Sequence, residues 1–199
     1  MPEQDGRGAD IVGDVAMKKA LVLLANGCEE MEAVTTVDIL RRGGVEVTVA
    51  GVNEGVIQAS RGVRLVPDQA LDAALKNGPW DMVVLPGGMD GTRTLTEDPR
   101  VQALLRETHG AGGIVAAICA APMALERAGL LSGCRFTAYP GVLKPDAGGG
   151  TYTGSRVEVD GNLVTSRGPG TAVDFALTLV EIAAGRMMRE KVRQSLVMD

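Results

Sequence analysis

Short apolar runs of strand length alternate along the chain with stretches in which apolar residues recur at helical spacing. An apolar run of this length is typical of a strand buried on both faces. Strands that alternate with helices form a parallel sheet covered on both sides, so the sequence predicts an α/β fold with a doubly wound, mostly parallel sheet. The predicted strands are Ala20–Ala25, Val45–Ala50, Met82–Leu85, Ile114–Ile118 and a segment near Arg135–Tyr139, with one or two short strands in Gln58–Val66.

Start and stop signals bracket two of the predicted helices. Glu30–Arg42 has apolar residues at helical spacing and is followed by two glycines, which favours a helix that ends there. Asp98 and Pro99 are typical of an N-cap and a first helical position. The helix that they open is expected to run to about His109.

The last third of the chain predicts a hairpin and two helices. Arg156–Thr165 has alternating residues around an Asp-Gly pair, which is a hairpin signal. Thr171 is expected to cap a long helix, with Asp174 completing a start that resembles a capping box. Gly185 is expected to end that helix, and a final helix follows.

Length and charge favour one domain over residues 17–199, preceded by a short tail. The chain has 199 residues, of which 45% are hydrophobic and 23% charged, an ordinary globular balance. Residues 1–16 hold four acids against one arginine, or −3 of the total formal charge of −5. They lack the features of secretory and mitochondrial leaders, so they are expected to be a disordered acidic tail or an added leader, with Met17 the native start.

The same counts exclude several classes of protein. No apolar run approaches the roughly 20 residues of a membrane span. The near-neutral body gives no electrostatic attraction to nucleic acid. Three cysteines, odd in number and widely spaced, favour a reducing compartment, and we expect the cytoplasm. With one histidine in the chain, no metal site is expected.

Three features follow predicted strands, at the carboxyl edge of the sheet where ligands collect in such folds. An acidic segment, Gly27–Glu32, follows the first strand. A Pro-Gly-Gly turn, Pro86–Gly88, follows Met82–Leu85. Cys119 follows Ile114–Ile118 and precedes Ala-Ala-Pro and a helix. The sequence therefore predicts that these three features meet in one site.

Cys119 stands at an abrupt change from strand to helix, which is the setting of a nucleophile elbow. Unpaired N–H groups and the helix dipole favour the thiolate, and cysteines so placed have pKa values of about 3.5 to 7.5. The alternative is a small buried hydrophobe, which is the usual role of a lone cysteine. That role is expected for Cys134, and Cys28 is interpreted as an incidental thiol near the site.

The proton of Cys119 needs a partner, and His109 is too far away. It lies near the amino end of the strand, roughly 17 Å from Cys119 at about 3.3 Å per residue. The remaining candidates are three glutamates after the first strand; Glu29 and Glu30 suit a simple complement to the helix dipole. Glu32 is expected to point at the sulfur, and burial beside a thiolate would keep it protonated.

Backbone N–H groups complete the predicted chemistry. The turn at Gly87 and Gly88 can supply one donor and Ala120 another, and two donors form an oxyanion hole. The turn also has a purely structural explanation, since Pro-Gly-Gly is a common turn sequence.

The chain resembles the ThiJ/PfpI superfamily, in particular the branch of the Parkinson-disease-associated protein deglycase and its bacterial relatives. LPGG alone is a weak signal, but the acidic cluster, LPGG, AAICAAP and SRGPGT together are highly specific. The matching stretches run in order from Lys18 to about Val197: ALVLLANGCEEMEAVTTVDILRRGG, VTVAG, SRGV, DMVVLPGG, GGIVAAICAAP and TSRGPGTAVDFAL.

The resemblance implies a flavodoxin-like sandwich, usually a homodimer, with no cofactor. It implies that Cys119 is the reactive cysteine, Glu32 its protonated partner, and Gly88 and Ala120 the oxyanion donors. The implied activity is breakdown of methylglyoxal and glyoxal, and repair of amines and thiols glycated by them, as a hydrolase or lyase. The resemblance also implies a second role, as a peroxide sensor through cysteine sulfinate and a redox-dependent chaperone.

The sequence departs from the pattern of some relatives at Tyr139, where they have a histidine near the cysteine. Proteases and glutamine amidotransferases need a Cys-His pair, so the departure argues against both and predicts slower glyoxalase turnover. Further pocket residues are expected at Glu29, Cys28 and Arg61. Nothing in the spacing requires Arg61 or Arg167 to approach the pocket.

Overall fold

The computed structural model describes residues 18–198. The tail predicted for residues 1–16 lies outside the described residues. The strands are β1 (Lys19–Leu24), β2 (Glu46–Gly51), β3 (Ile57–Gln58), β4 (Arg64–Leu65), β5 (Gln69–Ala70), β6 (Met82–Leu85), β7 (Ile114–Ile118), β8 (Arg135–Phe136), β9 (Thr151–Tyr152), β10 (Val157–Asp160) and β11 (Leu163–Ser166). The α-helices are α1 (Glu30–Arg42), α2 (Leu71–Lys76), α3 (Met89–Glu97), α4 (Pro99–Gly110), α5 (Pro122–Arg127), α6 (Ala172–Ala184) and α7 (Arg186–Ser195).

The main sheet has the strand order β10-β11-β7-β6-β1-β2-β5, and its neighbours are parallel except for the antiparallel pair β10-β11. β3 and β4 form a small antiparallel hairpin, and β8 and β9 form a short parallel pair. The predicted α/β fold with a mostly parallel sheet is confirmed.

Residues that alternate along β1 pack on opposite faces of the sheet. Ala20, Val22 and Leu24 join a core with α1 and α6, whereas Leu21 and Leu23 join a core with α4 and α5. Burial on both faces explains why the strand is a continuous apolar run. The helices on the two faces hold the strands in register, so the carboxyl ends of β1, β6 and β7 meet at one edge.

Several local predictions are confirmed. α1 has the predicted bounds, and Asp98 caps α4 through a 2.8 Å bond from the Arg100 N–H to its carboxylate. β6, β7 and the β10-β11 hairpin lie where the patterns put them. His109 lies in the last turn of α4, next to the amino end of β7.

Two local predictions are wrong in part. Thr171 is the N-cap residue of α6 as predicted, but its side chain makes no capping bond. Its hydroxyl lies 2.7 Å from that of Ser166, and Asp174 pairs with Arg156 instead of completing a capping box. The strand near Arg135–Tyr139 has only two residues. It ends because the Thr137 N–H donates to the side chain of Thr165 rather than to a strand carbonyl.

No helix among residues 18–198 has the length and apolar character needed to cross a membrane.

Candidate active site

Cys119 occupies the elbow between β7 and α5 with a backbone φ of +67°. A residue other than glycine in this region is strained and persists only when its surroundings hold it. Here the Cys119 N–H donates to the carbonyl of Ser166 at 2.9 Å, and the Cys119 carbonyl accepts the N–H of Tyr139 at 2.8 Å. These two bonds fix the elbow, and the cysteine remains only partly buried.

Glu32 lies in the first turn of α1 with no solvent exposure. Its Oε2 accepts the Gly87 N–H at 2.7 Å, and the carboxyl group is close enough to the Cys119 thiol for each group to shift the pKa of the other. Among residues 18–198, the buried Oε1 has no hydrogen-bond partner. The carboxyl is therefore held through Oε2 alone, beside Cys119.

The turn after β6 must be glycine at two positions. A Cβ on Gly87 would lie 2.6 Å from the Cβ of Cys119 and 2.9 Å from Oε2 of Glu32. Gly88 has a φ of +87°, and a Cβ there would lie 2.6 Å from the backbone nitrogen of Glu29. The absence of side chains lets the turn approach the reactive sulfur closely.

The backbone N–H groups of Gly88 and Ala120 lie near the sulfur of Cys119 and lower the pKa of its thiol. Both donors come from residues that the sequence predicted as an oxyanion hole. In the resting site they face the sulfur, where they favour a negative charge. Their action on a substrate oxygen stays a prediction.

Burial governs the charge of Glu32. It raises the pKa of the carboxyl to about 7, against the opposing effects of the bonds from Gly87 and the Cys119 thiol. The carboxyl therefore holds its proton at pH values where an exposed glutamate is ionised.

The sequence predicts a low pKa for the Cys119 thiol. This prediction is wrong as long as Glu32 is ionised. Burial, followed by the charge of Glu32 and its hydrogen bond, raises the pKa of the thiol to about 12, although the N–H groups of Gly88 and Ala120 lower it. The sequence argument counted the donors and the helix dipole. It omitted the desolvation of a pocket that also contains a carboxylate.

The two groups consequently work as a coupled pair. After one proton is lost, the other sits either on the sulfur or on Glu32. When Glu32 holds it, the carboxyl carries no charge and donates its proton to the sulfur, so both effects of Glu32 that raise the pKa of Cys119 disappear. A Cys119 thiolate beside a neutral Glu32 stays a prediction.

The other two glutamates bind the hairpin β3-β4 rather than the thiol. The Ser60 hydroxyl lies 2.9 Å from a carboxylate oxygen of both Glu29 and Glu30, and the Arg61 N–H donates to Glu30 at 2.9 Å. Burial opposes ionisation of Glu30, but hydrogen bonds from its own backbone, Ser60 and Arg61 outweigh it and lower the pKa. Sequence reasoning missed Ser60, since a serine in a short loop carries no specific signal.

The remaining expected pocket residues have different environments. Cys28 has no solvent exposure, and burial raises the pKa of its thiol to about 11, so it is not an accessible nucleophile. Arg61 is exposed, and it contacts Glu30 only through its backbone N–H, which donates a hydrogen bond to the carboxylate. Tyr139 is 50% exposed and reaches the elbow through its backbone. Within residues 18–198, no group of three His, Cys, Asp or Glu side chains is arranged to hold a metal ion.

The chain is thus an α/β protein with a strained cysteine elbow, a buried carboxyl and two nearby N–H groups at the carboxyl edge of a parallel sheet. The DJ-1/PfpI family matches residues 18–182, and the chain belongs to this family.

Relatives and solved structures agree with this assignment. The chain is 45% identical over 187 residues to the Parkinson disease protein 7 homolog of Danio rerio, covering 92% of this chain and 99% of the relative. It is 38% identical over 174 residues to the glutathione-independent glyoxalase DJR-1.2 of Caenorhabditis elegans, covering 85% and 91%. The crystal structure of Drosophila melanogaster DJ-1beta matches with a TM-score of 0.87 and 44% identity, covering 92% and 99%. The flavodoxin-like sandwich expected from the resemblance is confirmed.

Proposed function

We propose that this chain is a cofactor-independent cysteine enzyme that converts 2-oxoaldehydes such as methylglyoxal and glyoxal to 2-hydroxy acids. The observation that carries the proposal is the closeness of the buried Glu32 carboxyl to the strained Cys119, with the N–H groups of Gly88 and Ala120 near the sulfur. The glyoxalase named among the relatives supports it, because that relative covers 85% of this chain.

The reaction begins when the thiol proton moves to Glu32 and the Cys119 thiolate adds to the aldehyde carbon. The S–C bond forms as the carbonyl π bond breaks, and the resulting oxyanion accepts hydrogen bonds from Gly88 and Ala120. Glu32 then protonates this oxygen, and the product of the step is a neutral thiohemiacetal.

The second part of the reaction is an internal oxidation and reduction. Glu32, again ionised, removes the hydrogen of the former aldehyde carbon as a proton and returns a proton to the neighbouring carbon. The first carbon is oxidised to a thioester while the former ketone carbon is reduced to an alcohol. Water hydrolyses the thioester to lactate and releases Cys119. No external oxidant or reductant is consumed.

The proposal is tested by incubating the protein with methylglyoxal and measuring lactate, with Cys119→Ala and Cys134→Ala as matched variants. We expect lactate from the wild type and Cys134→Ala. For Cys119→Ala, whose nucleophile is absent, we expect a rate at least about a hundredfold lower. Equal rates for the wild type and Cys119→Ala would reject the proposal.

The same nucleophile serves the proposed deglycase activity, of hydrolase or lyase class. Adducts of dicarbonyls with protein amines and thiols carry the carbon that a thiolate attacks. Cys119 is partly exposed at a sheet edge, where a side chain of another protein can approach.

A second candidate function is sensing of oxidants, with a redox-regulated chaperone activity. The Glu32 carboxyl and two N–H groups lie near the sulfur, where hydrogen bonds from them would stabilise a sulfinate. A structure of Toxoplasma gondii DJ-1 described as oxidized matches with a TM-score of 0.84 and 35% identity, covering 91% of this chain and 98% of that one.

Intact mass after mild peroxide treatment tests this role. We expect selective addition of about two oxygens, mapped to Cys119, and loss of this selectivity in Glu32→Gln. The Glu97→Gln variant, which removes an exposed carboxylate of α3, serves as the control. If Glu32→Gln oxidises in the same way as the wild type, Glu32 has no part in sensing.

We also propose that the protein is a cytoplasmic homodimer. All three cysteines, Cys28, Cys119 and Cys134, are free thiols, which supports a reducing compartment. The solvent side of α1 carries Met31 and Val34, which are 59% and 51% exposed, and this apolar surface supports association of two copies.

A further inference from the structure

A cavity of about 570 Å³ is lined by Tyr139, whose backbone N–H donates to the carbonyl of Cys119. Its walls include Tyr139, Arg156, Arg167, Gly168 and Thr171. The Tyr139 ring covers Gly168, since a Cβ at that glycine would lie 3.3 Å from the ring carbon Cδ2. The cavity therefore has an aromatic wall and two guanidinium groups.

The two arginines differ in their partners. Arg156 is exposed, and its guanidinium is bound to the Asp174 carboxylate at 2.6 Å and to the Gly170 carbonyl at 3.0 Å. Arg167 is half-buried, and its side chain has no hydrogen bond or ion pair with any of residues 18–198. Asp174 is thus the ion-pair partner of Arg156. Arg167 lines the cavity and has no carboxylate partner among residues 18–198.

Arg167 is unusual among the half-buried arginines of the described chain. A guanidinium that loses water without gaining an acceptor costs free energy, so half-buried arginines normally have carboxylate partners. The other three follow this rule: Arg100 pairs with Asp72 and Asp98, Arg189 with Glu181, and Arg193 with Glu190.

The backbone connects this cavity directly to the reactive cysteine. Arg167 follows Ser166, whose carbonyl accepts the Cys119 N–H at 2.9 Å, and the Tyr139 N–H donates to the Cys119 carbonyl at 2.8 Å. Ser166 is fixed in turn, because its hydroxyl donates to the Arg156 carbonyl at 2.7 Å. A substrate attached to the sulfur can therefore extend along Tyr139 toward Arg167.

We propose that Arg167 selects 2-oxoaldehydes that carry an anionic tail, with the tail carboxylate bound by its guanidinium. A guanidinium binds a carboxylate through two parallel hydrogen bonds, which a neutral substrate such as methylglyoxal cannot form. This inference rests on the proposed function and narrows its substrate class.

The probe is 4,5-dioxopentanoate, a 2-oxoaldehyde with a carboxylate at its far end. It reacts as methylglyoxal does: water adds, the aldehyde carbon is oxidised to a carboxylate and the ketone carbon is reduced to an alcohol. The product is 2-hydroxyglutarate and one proton is released, so atoms and electrons balance without a further reactant.

The experiment compares kcat/KM for 4,5-dioxopentanoate and methylglyoxal in the wild type, Arg167→Gln, Arg167→Lys and Arg106→Gln. Arg106 is exposed on α4 and serves as the control. For 4,5-dioxopentanoate we expect Arg167→Gln to lower kcat/KM by about tenfold or more, mainly through KM. We expect less than about a twofold change for methylglyoxal, an intermediate effect of Arg167→Lys, and no change in Arg106→Gln.

The outcomes separate the two proposals. If the wild type converts both substrates and Arg167→Gln leaves their ratio unchanged, the role of Arg167 is wrong and the enzymatic function stands. If the wild type converts neither substrate, the enzymatic function is wrong and the proposed selection falls with it.

Discussion

Glu32 has two opposing effects at the scale of single residues. As a carboxylate, it raises the pKa of the Cys119 thiol; as a neutral acid, it donates to the thiolate. Its complete burial raises its own pKa to about 7, so both forms are accessible near neutral pH. A proton can therefore pass between the two side chains without a histidine.

The buried carboxyl also makes stability depend on pH. The pKa of Glu32 rises from its ordinary value of 4.5, which applies to the unfolded chain, to about 7 in the folded state. The folded chain therefore holds a proton that the unfolded chain releases, and this contribution is fully present below pH 4.5 and lost as the pH rises through 7. We expect Glu32→Gln to abolish this loss, because the amide is uncharged and its oxygen still accepts the Gly87 N–H.

Urea unfolding at pH 4.5 and pH 8 measures the effect. From pH 4.5 to pH 8, we expect the unfolding free energy of the wild type to fall relative to Glu32→Gln by roughly 2–4 kcal/mol. Glu107→Gln, which removes an exposed carboxylate of α4, is the control. A difference between wild type and Glu32→Gln that is the same at both pH values would show that Glu32 is already ionised throughout this range.

At the scale of elements, the sequence predicts those parts whose signal is local. β7 is a continuous apolar run, and Asp98-Pro99 starts a helix by its own chemistry, so both were predictable. α3 was not, because Met89–Glu97 contains three threonines and a glycine and has little intrinsic helix preference. It is stabilised by tertiary contacts, because its own Leu95 is fully buried in the core that includes residues of α4 and α5.

The start of α6 also shows that a local sequence pattern does not predict which distant residues a side chain will bond to. Thr171 followed by Asp174 satisfies the local pattern of a capping box, but both side chains have stronger partners elsewhere. The Thr171 hydroxyl bonds to Ser166 and to the Gly168 carbonyl, and Asp174 bonds to Arg156. These partners are brought together by the β10-β11 hairpin, and no local window of sequence contains that information.

Some features of the candidate site could be predicted from the sequence, and others depend on the whole fold. Topology predicts that Glu32, the Gly87-Gly88 turn and Cys119 meet, because β1, β6 and β7 end at one edge. The direction of the thiol pKa was not predictable, since it depends on how far water is excluded around the sulfur. The partnerless state of Arg167 within residues 18–198 also depends on the whole fold, because Asp174 could equally have paired with it.

At the scale of the whole molecule, the apolar surface of α1 is continuous with that of the β3-β4 hairpin. Val34 lines a groove of about 320 Å³ together with Val37, Leu65 and Val66, and Val66 is 78% exposed. Val34 also lines a second groove, of about 440 Å³, with Leu196 and Met198. Apolar residues around two adjoining grooves are typical of a surface that another chain covers.

This surface predicts that Val34→Glu separates the proposed homodimer into monomers. The substitution places a charge between the two grooves, where association would bury it without a partner. Light scattering after size-exclusion chromatography measures the mass directly, and the monomer has 20.7 kDa. We expect about twice that mass for the wild type and the monomer mass for Val34→Glu.

Val159→Glu separates this effect from a general effect of a new surface charge. Val159 is 39% exposed on β10, which is the edge strand at the opposite end of the main sheet from β2 and β5. We expect this variant to keep the mass of the wild type, because its surface is not part of the proposed interface. A Val34→Glu protein that remains dimeric while folded would place the interface elsewhere, and a monomeric wild type would contradict the dimer itself.

Because α1 also carries Glu32, a dimer through this face would hold the first turn of the helix against Cys119, so loss of the dimer should lower activity together with mass.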